Sequence, residues 1–394
     1  MMRKNSNANS RLRELLQGTT IQSILPERSI ISISAQSTTE EALELLSRHR
    51  ILSMPVWDSE HMDYKGMIDV MDILVHSVLT FKTNKDHHHD KERAEWKFCS
   101  KPVGSVLNLS TVDVFLPMEE ELSLFHAMEL FTRGIHRLPV VRAASESSHN
   151  EDHAHRSLIV VNVLSQSSIV RFLWKHKQEA LASAGENTLL ELKLAGNRNN
   201  DHSINSHNDS LPLSVRKGES TALEAFELMA KNLVEAVPIV DDEGKLCGEL
   251  SAGDLRGLNP ASSNMYDTLQ LPVMEFVEAH HVQQVHFSFF FLLACVTSAL
   301  TSLLPSLSLS LSLSLSLSLS RFAKQKQEEL CCCTQQTKLK HIISKLAKTR
   351  AHRVWVIDDE NRVTGVVTLS DIMRALFLVM NPHKHPPLHT SSSK

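Results

Sequence analysis

A short apolar strand core occurs four times in this sequence, always at the same distance from other apolar residues. The cores are Met-Pro-Val at 54–56, Leu-Pro-Val at 138–140, Val-Pro-Ile at 237–239 and Val-Trp-Val at 354–356. Apolar residues also stand eight and eleven positions before each core, and this i, i+3 spacing is typical of the buried face of a helix. Because the helix positions and the strand core recur at the same spacing each time, the sequence predicts four copies of one folding unit.

Each strand core is followed by a polar turn and a second apolar strand, which together predict a β-hairpin. The polar turns at 241–244 and 358–361 are examples. A Ser/Thr-x-x-Asp segment, such as 251–254 or 368–371, then begins a second helix. Each unit is therefore predicted to be helix, strand, strand, helix, and the fold class to be α/β of the α+β kind.

The repeats and the polar tracts between them divide the chain into units, linkers and tails. The units are predicted at 20–80, 101–178, 211–262 and 336–381, and the linkers at 81–100, 179–210 and 263–282. Residues 1–19 and 382–394 are predicted to be disordered tails.

A segment at 283–335 interrupts the fourth repeat. Within it, 287–304 is apolar and uncharged, and 306–320 alternates Ser and Leu, as a translated TC dinucleotide repeat would. We hypothesise that 283–335 is a low-complexity insertion from a retained intron or an error in the gene model. The alternative is a membrane-anchored protein, because 287–304 reaches the length at which a transmembrane helix must be considered.

Composition excludes several classes of function. The 41 basic and 45 acidic residues leave a formal charge of -4, so no direct nucleic-acid binding is expected. The six cysteines form no Cys-x-x-Cys pair and the N-terminal region lacks a secretory signal, which favours a cytoplasmic or nuclear protein. No phosphate loop, nucleophile elbow or kinase signature occurs, and we expect no enzyme, no catalytic residue and no metal site.

The Ser/Thr-x-x-Asp segments have two interpretations. A hydroxyl at the N-cap with an acidic residue three positions later stabilises a helix start. The same helix start also presents backbone N–H groups that can hold a phosphate, while the aspartate can accept hydrogen bonds from ribose hydroxyls. One copy of the motif does not decide between the two.

The two residues before each strand core divide the units into two kinds. Units 2 and 4 have His136-Arg137 and His352-Arg353, whereas units 1 and 3 have 52–53 and 235–236 without a cation. Arginine offers a planar fork of donors to phosphate oxygens, and histidine adds hydrogen bonds or charge. The alternation predicts two pairs of units, each with one cationic member. The simpler interpretation is that each arginine only extends from a strand edge to water.

These motifs resemble those of CBS domains. The phrases Gly-Ile-His-Arg-Leu-Pro-Val at 134–140 and Thr-Leu-Ser-Asp-Ile at 368–372 are similar to those of gamma regulatory subunits of SNF1-related and AMP-activated protein kinases, especially of the plant branch. The resemblance implies four CBS units paired into two Bateman modules in a disc, with AMP, ADP or ATP in central clefts. It also implies a kinase catalytic alpha subunit and a scaffold beta subunit as partners. The ligand contacts that it implies are Asp72, His136, Arg137, Ser251, Asp254, His352, Arg353, Thr368, Ser370 and Asp371.

Two departures from that pattern favour a second hypothesis. Unit 2 has Ser168 at the position of the ribose-binding aspartate, so we expect its own site to be weak or empty. Unit 1 has Asp69 where a hydroxyl is usual, and this second carboxylate beside Asp72 is expected to repel a phosphate. A scaffold or interaction protein with degenerate ligand sites is therefore the alternative to a nucleotide sensor.

Overall fold

The computed structural model describes residues 2–27, 29–82, 91–111, 114–143, 158–182, 184–194, 212–258, 264–279 and 330–381. Its strands form four separate three-stranded sheets, one in each predicted unit. In every sheet a short strand pairs in parallel with the middle strand, which pairs antiparallel with the third. The mixed α/β class and the four hairpins are thus confirmed.

The first half of the chain holds the N-terminal helices and units 1 and 2. The N-terminal helices are α1 Met2–Gln17 and α2 Ile21–Ile24. Unit 1 contains β1 Ile33–Ser34, α3 Thr39–His49, β2 Ser53–Asp58, β3 Asp63–Asp69 and α4 Val70–Lys82, and is followed by α5 Lys91–Cys99 and a 3-10 turn Val103–Ser105. Unit 2 contains β4 Met118–Glu119, α6 Leu124–Phe131, β5 Arg137–Ala143, β6 Leu158–Ser165, α7 Gln166–Lys175 and α8 Lys177–Ala180, and a 3-10 turn Ala184–Glu186 follows.

The second half repeats this order. Unit 3 contains β7 Val215–Arg216, α9 Ala222–Asn232, β8 Ala236–Val240, β9 Leu246–Ser251, a 3-10 helix Ala252–Gly257 and α10 Met265–Leu269, and residues 273–279 are also helical. Unit 4 contains β10 Cys332–Cys333, α11 Leu339–Thr349, β11 Arg353–Ile357, β12 Val363–Thr368 and α12 Leu369–Met380.

Local sequence explains where the first helix of a unit begins and ends. Thr38 caps α3 and Thr221 caps α9, each in a capping box with a glutamate three residues later. Helices α3, α9 and α11 end at Arg50, Leu233 and Arg350, which adopt the left-handed conformation. This turn reverses the chain and leads directly into the middle strand of the sheet.

The four units contact one another in a closed ring. Helices of units 1 and 3 share one hydrophobic core, in which α4 packs on α9, and helices of units 2 and 4 share a second, in which α7 packs on α11. The sheets of units 3 and 4 meet through Val240, Trp355 and Val363. Units 1 and 2 meet through an Arg137–Asp69 ion pair. Each unit therefore contacts at least two others, as expected for two modules of paired units that face each other.

The N-terminal tail predicted to be disordered is instead a helix. In α1, Leu12 and Leu16 are fully buried in the core shared by units 2 and 4. The prediction of disorder rested on the polar composition of the tail, and it overlooked this i, i+4 pair of leucines, which marks one buried helix face. The predicted linkers at 81–100 and 263–282 both contain helices whose apolar residues, such as Phe98 and Phe276, are buried.

The predicted insertion at 283–335 extends too far at its C-terminal end. Cys332 and Cys333 form β10, which pairs in parallel with β11, and Cys333 is buried in the core. These cysteines therefore supply the first strand of unit 4. The rest of the segment, including the apolar run at 287–304, lies outside the described residues. Within the described ranges, no helix is long and apolar enough to cross a membrane.

Candidate functional site

Each hairpin places the two residues before its strand core beside the start of its own second helix. Arg137 is directly opposite Ser165 in the β5–β6 ladder, and Arg353 is opposite Thr368 in the β11–β12 ladder. The carbonyl of the preceding histidine accepts a hydrogen bond from the first residue of the helix, at 3.2 Å in unit 2 and 3.1 Å in unit 4. The His-Arg dipeptide and the helix-start motif lie about thirty residues apart in unit 2 and about sixteen in unit 4, and the hairpin brings them together.

The helix starts are capped as the motif predicts. In unit 4, the N–H and hydroxyl of Thr368 donate to one carboxylate oxygen of Asp371 at 2.8 and 2.7 Å. In unit 3, the N–H and hydroxyl of Ser251 donate to Asp254 at 2.7 and 2.9 Å. The capping interpretation is therefore correct. The second oxygen of Asp371 lies 3.9 Å from Arg374 Nη1, so this carboxylate is not fully occupied by the cap.

Asp72 in unit 1 is enclosed by the protein. It is buried, and its Oδ1 atom accepts hydrogen bonds from the N–H and the hydroxyl of Ser110 at 2.9 and 2.7 Å. Its Oδ2 atom accepts from the N–H of Asp69. Burial raises the pKa of Asp72, and the bonds from Ser110 only partly offset that effect. The carboxylate of Asp72, a predicted ribose contact, is thus hydrogen-bonded to the segment after unit 1 in this structure.

In unit 2, the N-terminus of the second helix is capped by hydroxyl groups instead of a hydroxyl and a carboxylate. Ser165 caps α7, and its hydroxyl lies 3.1 Å from that of Ser168. The amide of Gln166 donates to Ser370 at 3.0 Å, so the helix starts of units 2 and 4 are in contact. Ser370, a predicted phosphate contact, is therefore part of the junction between these units.

The two cationic dipeptides converge on carboxylates from units 1 and 3. Arg137 forms a buried ion pair with Asp69 of unit 1, with an N–O distance of 2.5 Å. Glu235 of unit 3 lies 3.2 Å from His136 Nδ1 and 3.5 Å from Arg353 Nη2. All four units thus contribute a charged residue to one central cluster.

The electrostatics of this cluster follow from its burial. Burial alone would raise the pKa of Glu235, but the nearby cations, His136 and Arg137 foremost, hold it far below its ordinary range. Burial, aided by the positive charge of Arg137, lowers the pKa of His352 to about 4. His352 is therefore neutral at pH 7 and can offer a hydrogen bond but no charge.

One arginine in the cluster has spare donor capacity. Arg353 is buried, and among the described residues its Nη1 atom has no hydrogen-bond partner. A buried guanidinium nitrogen without an acceptor is costly, and a ligand oxygen would relieve that cost. Arg353 also stands next to the N-terminus of α12, where backbone N–H groups favour an anion.

Three residues of the cluster were not predicted from the sequence as contacts. Glu235 and Asp69 supply the carboxylates, and Arg256 donates from Nη1 to the carbonyl of Ile51 at 3.2 Å, which joins units 3 and 1. A signal for Glu235 was present, because it occupies the position that holds histidine in units 2 and 4. An opposite charge at the equivalent position indicates a partner across the ring.

Comparison with protein families matches three of the four units to one kind of domain. The model of the CBS domain matches residues 21–78, 212–259 and 327–378. These segments contain the sheets of units 1, 3 and 4. Unit 2 has the same strand order, β4-β5-β6, although the family model does not match it.

Relatives are similar over most of the chain. It is 23% identical over 364 residues to the 5'-AMP-activated protein kinase subunit gamma of Dictyostelium discoideum, covering 92% of this chain and 52% of that protein. It is 22% identical to the subunit of the same name from Saccharomyces cerevisiae, covering 94% of both chains. It is 21% identical to the SNF1-related protein kinase regulatory subunit gamma-like PV42b of Arabidopsis thaliana, covering 89% of this chain and 92% of that protein.

A solved structure shares the fold. Protein MJ1225 from Methanocaldococcus jannaschii, described as a proposed archaeal homologue of g-AMPK, superposes with a TM-score of 0.53 at 13% identity, covering 90% of this chain and 99% of that one. This likeness shows the fold of the chain. Three of the four units of this chain match the CBS domain, and over most of its length the chain is similar to the gamma subunits of AMP-activated protein kinases.

Proposed function

We propose that the chain is an adenine-nucleotide-binding regulatory subunit, an energy sensor, of a protein kinase of the SNF1-related or AMP-activated type. The observation that carries the proposal is the buried Arg353, which lies between the N-terminus of α12 and the central cluster and whose Nη1 atom has no hydrogen-bond partner in the described part of the chain. Arg353 and the helix start suit a phosphate, and Asp371 suits the ribose. The relatives named as gamma subunits support the same ligand class.

In this proposal the nucleotide does no covalent chemistry. It changes the relative stability of two arrangements of the ring, and it can do so only by binding one of them more tightly. The kinase catalytic alpha and scaffold beta subunits are the proposed partners, and the cytoplasm or nucleus the proposed location. Copurification of kinase subunits with the native protein tests the partners.

The site is tested by changing Asp371 to asparagine, which keeps the shape of the helix cap. A charged hydrogen bond contributes about 1.5–3 kcal/mol, so we expect the dissociation constant for AMP, ADP or ATP to rise about tenfold to a hundredfold. Isothermal titration calorimetry measures it. The matched control is Asp359→Asn in the exposed turn of the same unit. Equal affinities in the Asp371 variant and the unmodified protein would contradict the assignment.

A scaffold with degenerate sites is the second candidate, and specific observations favour it. Asp72 is occupied by Ser110, Ser168 replaces an aspartate, and Asp69 neutralises Arg137. A ligand that binds only the folded state must raise the melting temperature. The scaffold hypothesis therefore predicts no change in melting temperature with millimolar AMP, ADP or ATP, whereas the sensor hypothesis predicts an increase.

A further inference from the structure

Glu235 holds a position that no local structural need explains. It follows the left-handed residue that ends α9 and precedes β8, and its backbone carbonyl accepts the hydrogen bond that begins the next helical turn of unit 3. That backbone role is filled in the other units by Leu52, His136 and His352, so it requires no carboxylate. The side chain must therefore be understood from what it contacts.

The Glu235 carboxylate contacts basic side chains of two other units. One oxygen is 3.2 Å from His136 of unit 2, and the other is 3.5 Å from Arg353 of unit 4. These are the groups to which the proposed function assigns the phosphate of a nucleotide. An ionised carboxylate and a phosphate oxygen are alike as acceptors for such donors.

We propose that Glu235 is a built-in competitor for the phosphate group, so that a nucleotide gains Arg353 and His136 only by displacing this carboxylate. The inference rests on the proposed function, since it concerns the same cations. In this role Glu235 sets the affinity of the site for phosphate and makes the arrangement of the units depend on the ligand. Displacement of Glu235 breaks a contact that joins unit 3 to units 2 and 4, so binding is coupled to the arrangement of the ring.

The state of Arg353 agrees with competition rather than with a completed salt bridge. Its Nη2 atom lies 3.5 Å from Glu235, beyond an ordinary hydrogen bond, while Nη1 has no hydrogen-bond partner among the described residues. A bidentate carboxylate would occupy both nitrogens. The guanidinium is thus held by Glu235 but still offers a donor to an incoming oxyanion.

The test compares Glu235→Gln, Glu235→Asp and the unmodified full chain. Glutamine keeps the size of the side chain and removes its charge, and aspartate keeps the charge but is too short to reach both cations. The matched control is Glu219→Gln, which makes the same change of charge at an exposed residue of unit 3. Dissociation constants for inorganic pyrophosphate and for AMP are measured by calorimetry, and folding is checked by circular dichroism.

Competition predicts that Glu235→Gln binds pyrophosphate and AMP about tenfold more tightly or better, because a close opposing charge has been removed. Glu235→Asp should show a smaller increase in affinity, and Glu219→Gln none. If the glutamine variant does not fold, the aspartate variant still decides the matter. Unchanged or weaker anion binding in the folded Glu235 variants would overturn the inference.

The outcomes for the inference and for the proposed function are distinguishable. Nucleotide binding that is equal in all variants supports the proposed function and overturns the competitor role of Glu235. Pyrophosphate binding that appears only in the Glu235 variants, with no AMP binding in any protein, supports the competitor role and contradicts the sensor. Absence of anion binding in every variant overturns both.

Discussion

Replacing Arg137 with methionine is expected to lower the free energy of unfolding by about 3–5 kcal/mol, because it leaves the buried carboxylate of Asp69 without its partner. Both side chains are almost fully enclosed, with exposed fractions of 10% for Arg137 and 4% for Asp69. Methionine fills a similar volume, so the loss measures charge rather than a cavity. Urea denaturation followed by circular dichroism gives the difference.

The double variant Arg137→Met with Asp69→Asn should recover most of that loss, because the unpaired buried charge is then gone. Asparagine at position 69 can still accept the hydrogen bond from Met71. The control is Arg142→Met, since the Arg142–Glu120 pair has an arginine that is 62% exposed, and such pairs contribute about 0–1 kcal/mol. Equal effects at positions 137 and 142 would show that the central pair has no special importance.

The sequence predicted those features of the fold that depend on neighbouring residues. The strand cores, their hairpins and the capped helices follow from periodicity and from local hydrogen bonds such as Thr368 to Asp371. Each of these involves residues within about thirty positions of each other. The structure places His352-Arg353 beside the start of α12, but local patterns could not show which groups from other units would face them.

The partners of the central cations depend on which units meet, and no single unit encodes that arrangement. Asp69 was expected to repel a phosphate because only its neighbour Asp72 was visible in the sequence. In the folded chain its nearest charge is Arg137, 68 positions away. Arg137, which looks free in the sequence motif, is therefore engaged by a carboxylate of another unit, whereas Arg353 keeps one donor without a partner among the described residues.

The N-terminal helix and the cysteine strand were missed for a related reason. The helix α1 lies in a tail of mostly polar residues, and the strand β10 lies at the end of a low-complexity segment. In each case a few apolar residues form the element. Leu16 and Cys333 are buried only because the core of units 2 and 4 covers them. Composition averages over a segment, whereas burial depends on the few side chains that face a partner.

Replacing Trp355 with alanine is expected to lower the free energy of unfolding by about 3–5 kcal/mol, the usual cost of removing a large buried aromatic side chain. Trp355 stands in unit 4 where the other units have proline, and it is buried between Val240 and Val363. Its indole N–H donates to Glu249 of unit 3 at 2.7 Å. The substitution therefore acts on the junction of the sheets of units 3 and 4.

Two further variants separate the components of this effect. Trp355→Phe keeps much of the apolar contact and loses the hydrogen bond to Glu249, so we expect a loss of about 1–3 kcal/mol. Trp96→Ala removes an indole that is 70% exposed on α5, and surface substitutions usually change stability by less than about 0.5 kcal/mol. Because the ring closes through this junction, Trp355→Ala should also weaken any nucleotide binding at Arg353. A stable Trp355→Ala protein with unchanged affinity would mean that unit 4 forms its site without unit 3.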